Sequence, residues 1–145
     1  MKRMSGLKRL FRGYAAVLVS GVLLASGVSA ADAEAVIQGP GGLAYVAGGV
    51  GDESRARIQA MSGDFNLKLV FAMDSGAFLS DVRVSIADAA GHSLLDTRSG
   101  GPWFLASLPA GHYLIAATYS GEAMKREITL DAGTPRTIDF RWRSK

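Results

Sequence analysis

From Asn66 onward, apolar and polar residues alternate with a period of two. Leu67, Leu69 and Phe71 alternate with Lys68 and Val70, and Val82, Val84 and Ile86 alternate with Arg83 and Ser85. Met124, Ile128 and Leu130 share one parity, with Lys125, Glu127 and Thr129 on the other; Ile138, Phe140 and Trp142 alternate with Thr137, Asp139 and Arg141. This is the period of half-buried strands. Asp74-Ser75-Gly76, Asp88-Ala89-Ala90-Gly91, Gly100-Gly101-Pro102 and Asp131-Ala132-Gly133 supply turns between the runs, and a short strand fits Leu94 to Thr97. The pattern predicts an all-β domain over residues 66–143. Its seven short strands form an antiparallel sandwich whose two sheets hide each other's apolar faces.

Upstream the period changes. Residues 52–62 are the one helix expected after the N-terminal segment: Asp52 caps the first turn, Glu53 suits the positive end of the dipole and Gly63 sits where a C′ residue belongs. Ile58 and Met61 form a narrow apolar stripe, so the helix is expected to dock on the sheet. Leu43 to Ala47 is a short edge-strand candidate, completing a strand-and-helix unit over residues 43–65. Residues 31–42, rich in Ala and Gly, read as a flexible leader.

The stretch from Pro102 to Gly121 carries the most specific signal. Trp103 to Leu108 is largely apolar, Pro109-Ala110-Gly111 breaks the run, and Tyr113, Ile115, Ala117 and Tyr119 alternate up to Gly121. It reads as a hairpin. Its Leu-Pro-Ala-Gly-His-Tyr segment resembles the Leu-Pro-Pro-Gly-x-Tyr motif of the carboxypeptidase regulatory-like domains, which are small transthyretin-like β-sandwiches. The resemblance covers residues 66–142. It implies a seven-stranded Greek-key sandwich and a non-catalytic accessory module, with no catalytic residue to carry over.

Charge changes the picture at the N-terminus. Lys2, Arg3, Lys8, Arg9 and Arg12 precede a short apolar run from Tyr14 to Val28, and Val28-Ser29-Ala30 is a small-x-small site, so residues 1–30 read as a signal peptide cleaved after Ala30. The run is short for a span and broken by Ser20, Gly21 and Gly27, so no stable membrane insertion is expected after cleavage. The segment holds five of the 16 basic residues and none of the 13 acidic ones, leaving 11 basic against 13 acidic, a net of −2. A basic surface for nucleic acid therefore has no support. Without any cysteine, disulfides and thiolate chemistry are excluded, and a disulfide-free exported domain suits the bacterial periplasm, or secretion from it.

Candidate chemistry is sparse. His92 and His112 are the only histidines; neither shows a metal-ligand spacing, and both read as solvated turn residues. A metal-dependent hydrolase would need the two to converge beside Asp or Glu. Asp74, Asp81, Asp88, Asp96 and Asp131 lie near glycines or strand ends and read as turn formers. There is no Gly-x-Ser-x-Gly elbow and no phosphate cradle. The chain is therefore expected to be no enzyme and to take no cofactor. The expected activity is binding of an envelope protein, with strand addition at a sheet edge as the mode. The alternative is a carbohydrate-binding module using exposed aromatics. Trp103 and Phe104 are its candidate ligand residues, because adjacent positions on a strand face opposite sides and one of the two is then less buried.

Overall fold

The computed structural model describes residues 35–131 and 133–144. The expected signal peptide and residues 31–34 of the expected leader lie outside them. Nine strands and one α-helix follow in the order β1 (Ile37–Gln38), β2 (Ala44–Gly48), α1 (Asp52–Met61), β3 (Leu67–Met73), β4 (Val82–Asp88), β5 (Ser93–Ser99), β6 (Trp103–Ser107), β7 (Gly111–Tyr119), β8 (Glu122–Leu130) and β9 (Arg136–Trp142). They form two sheets, β1-β2-β6-β3-β9 and β5-β4-β7-β8. Among the described residues no helix is long and apolar enough to cross a membrane.

Several expectations need correction. The strand count is nine rather than seven, because β1 and β2, both upstream of the helix, join the first sheet. The expected leader is structured from Ile37: β1 pairs with β2, and Pro40–Gly42 makes a 3-10 turn between them. The sheets are also not wholly antiparallel. β3 and β9 run parallel, from Leu67 opposite Arg136 to Met73 opposite Trp142.

The expected hairpin at 103–119 is a crossing between sheets. β6 pairs with β2 and β3 in the first sheet, and β7 pairs with β4 and β8 in the second. Asn66 explains the parting. Its side-chain amide donates to the Leu108 carbonyl at 2.7 Å, and its side-chain oxygen accepts the Leu108 N–H at 2.9 Å. The side chain thus imitates a paired strand residue and prolongs the β3–β6 ladder to Leu108. Pro109 then has no N–H to continue the ladder, and the chain leaves for the other sheet. Tyr113, once arrived, donates its hydroxyl back to the Pro109 carbonyl at 2.6 Å. The Leu-Pro-Ala-Gly-His-Tyr segment is the brace of an inter-sheet corner.

Between the sheets lies one apolar layer. Leu69, Phe71, Val82, Val84, Ile86, Phe104, Ile115 and Phe140 have no exposed surface. Each such side chain stabilises the fold by about 1.5–3 kcal/mol through burial. A second, smaller cluster lies on the outer face of the first sheet. There Ile58 of α1 meets Val46, Leu105 and Phe65, with Met61 and Trp103 at its margin. The helix docks as its apolar stripe requires. Its N-cap is Gly51 and not Asp52; Asp52 lies in the first turn and pairs with Arg55. The loop before it is tied by the helix itself, since Ser54 Oγ accepts the Gly49 N–H at 2.7 Å and Arg55 donates to the Gly49 carbonyl at 3.1 Å.

Met61→Asp is expected to destabilise the domain by about 1–3 kcal/mol, because a carboxylate would replace an apolar contact at the Ile58 cluster. Urea unfolding reads this directly, and an unchanged midpoint with unchanged helix signal would mean that α1 is not held to the sheet.

Candidate functional site

Trp103 and Phe104 do lie on opposite faces of β6. Phe104 points between the sheets and stacks on Tyr45, with ring centroids 5.3 Å apart; it has no exposed surface and cannot meet a ligand. Trp103 points outward and is half-buried, but its ring face is covered by the Lys68 ammonium, 3.6 Å from the centroid. Burial pushes the Lys68 pKa down, and the charge of Asp139 opposes that shift. The lysine thus seats its own cation on the face that a sugar ring would need. Alternation along β6 anticipated the two directions; nothing in it indicated Lys68, which lies 35 positions away in the sequence.

The histidines take separate partners. Asp88 holds the turn after β4: its carboxylate accepts the backbone N–H groups of His92 at 2.9 Å and Ala90 at 3.0 Å. Those bonds, led by that from His92, keep its pKa below the usual carboxylate value. The His92 ring lies 3.3 Å from the second Asp88 oxygen, while His112 Nδ1 lies 2.8 Å from Thr129 Oγ1. His112 opens onto a groove of about 560 Å3 with Leu114, Glu127 and Asp88. Among the described residues, no three His, Asp or Glu side chains gather as metal ligands would.

The remaining candidate acids are also placed. Asp74 accepts from both the hydroxyl and the N–H of Ser144, which lowers its pKa. Asp96 forms a two-bond pair with Arg83 at 2.9 and 2.6 Å, and Asp81 pairs with Arg98 at 3.4 Å. Asp131 turns the chain before β9, its carbonyl accepting the Thr134 N–H.

The four sheet edges differ more than any of these clusters. β5 carries Asp96 and Arg98; β8 carries Lys125, Arg126 and Glu127; β9 carries Arg136, Asp139 and Arg141. Arg126 also turns inward from β8, with its guanidinium 5.5 Å from the Phe140 ring. Charged and inward-turned side chains blunt an edge against further pairing. The remaining edge has none. No charged residue occurs between Glu34 and Asp52, a span containing all of β1 and β2. Only Ala44 and Tyr45 of β2 are paired by β1, so Val46 to Gly48 have no strand beside them on that side among the described residues. Val36 and Ile37 add exposed apolar surface there, at 44% and 48% exposure. The uncharged run was legible in the sequence; its position at an edge was not.

No family model matches the chain, and a search of curated proteins finds no match.

Proposed function

We propose that the chain is an exported, non-catalytic binding module of the bacterial cell envelope, of the carboxypeptidase regulatory-like type, which takes up an extended segment of a partner protein at the β1–β2 edge. The observation that carries this reading is the contrast between edges: three are guarded by charge, and the fourth is uncharged, apolar and only partly paired. Strand addition needs an edge of that kind, because main-chain hydrogen bonds supply the affinity and nearby apolar side chains the selectivity. The N-terminal basic and apolar pattern supports export to the periplasm, or secretion beyond it. The Leu-Pro-Ala-Gly-His-Tyr corner supports the family reading, since Tyr113 and Pro109 brace the sandwich where the chain crosses between sheets.

Capture from envelope extract tests the reading. Ile37→Lys places a charge on the open edge and is expected to weaken capture about tenfold, whereas Thr137→Lys on β9 leaves it unchanged. Equal effects of the two variants, or a loss with Thr137→Lys alone, would reject this edge as the binding surface.

A further inference from the structure

We propose that the strand added at this edge is β1 of a second copy: the β1–turn–β2 unit opens, and each copy's β1 pairs with the other's β2. The inference rests on the strand-addition reading and deepens it by naming the strand.

Symmetry of the register is the first argument. Ile37 opposes Tyr45 and Gln38 opposes Ala44, and the Gly39 N–H donates to the Leu43 carbonyl at 2.6 Å. Every one of these pairs is centred on Gly41. If residues 37–45 straighten into one strand, two copies can pair antiparallel about a twofold axis at Gly41 and keep every register pair they now make internally. The complementarity is already present in the closed form. Pro40, which has no N–H, falls opposite Gly42 at a non-hydrogen-bonded position of that ladder, so its missing donor leaves no gap.

The weakness of the closed form is the second. β1 has two residues, and both are exposed. The turn joining it to β2 requires Gly41 at φ 71° and Gly42 at φ 80°, with nothing within 4 Å of where a side chain on either would start. The closed turn is therefore set by glycine's tolerance of the left-handed region and not by packing. Charge is the third. A twofold axis sets like residues close together, which would oppose like charges at a charged edge; between Glu34 and Asp52 there are none to oppose.

The chain has no cysteine, so introduced thiols report without background. A Gln38→Cys chain and a separate Ala44→Cys chain, mixed, equilibrated and mildly oxidised, are expected to form a disulfide-linked dimer. Neither alone forms one in comparable yield, because position 38 of one copy meets position 44 of the other. Gly41→Val then shifts the balance. A β-branched residue is strained in the closed turn and unstrained in an extended strand, by about tenfold per hinge and so about 100-fold in the dimerisation constant. Light scattering reads that rise, and circular dichroism confirms that the variant keeps its sheets. Cross-linking no greater in the mixture than in the separate chains overturns the exchange, as does a folded Gly41→Val chain that stays monomeric. The capture assay with Ile37→Lys does not depend on cross-linking, so strand addition from a different protein survives that result and can fail separately.

Discussion

Gly101→Ala is expected to destabilise the domain by about 3 kcal/mol or more, at or beyond the upper end of what overpacking usually costs. The reason is a close crossing of two backbones. The Gly48 carbonyl occupies the position that a Cβ on Gly101 would need, and the Gly48 Cα would lie 2.8 Å from it. These are backbone atoms at the end of β2, so no side chain can swing aside. Nor can the 99–102 segment move away. The buried Ser99 hydroxyl donates to the Gly101 carbonyl at 2.6 Å, and the Pro102 carbonyl accepts the Phe71 N–H at 2.9 Å. Relief would break one of those bonds or the β2–β6 ladder. Gly100→Ala is the matched control, since nothing lies within 4 Å of its Cβ position, and it is expected to fall within about ±0.5 kcal/mol of the parent. Thermal melts of the two variants give the answer, and equal melting temperatures would mean that the crossing is looser than described.

Phe140→Ala is expected to destabilise by about 3–5 kcal/mol, a large share of the stability of an ordinary domain. Phe140 has no exposed surface and lies at the centre of an aromatic group, with the Phe71 ring 5.9 Å away and the Trp142 ring 6.3 Å away. It also anchors β9, which among the described residues pairs with a strand only on its β3 side. Arg126 lies over the ring, so truncation removes the surface on which the guanidinium rests. The denaturation midpoint should fall with little change in slope, because the surface exposed on unfolding is nearly the same. Thr137→Ala, on the outer face of the same strand, should be close to neutral. A Phe140→Ala midpoint like that of Thr137→Ala would remove Phe140 from the core.

Alternation of side chains made most of the strands legible, because half-buried strands must place apolar residues on one face. Parity says nothing about which strand lies alongside which. β6 and β7 are adjacent in sequence and look like a hairpin, yet Asn66, 42 positions before Leu108, holds β6 in one sheet while β7 enters the other. The parallel β3–β9 pair escaped for the same reason, as it depends on a non-local choice of neighbour. β1 is too short for any period to register, and its Gly-rich flank looks the same whether ordered or not. At the candidate site, the lack of charge from Ala35 to Gly51 was plain, but exposed and covered uncharged runs read alike until strand order is known. The Lys68 cover on Trp103 joins residues whose encounter no local pattern encodes.

Parallel pairing of residues 67–73 with residues 136–142 also bears on the timing of folding. As the chain leaves the ribosome N-terminal end first, the row that flanks Phe71 is not available until the ninth strand has emerged. These contacts span about 70 positions of sequence, the long-loop regime in which sheet proteins assemble slowly. Until then the β9 side of Phe71, where Phe140 and Trp142 pack, stays uncovered.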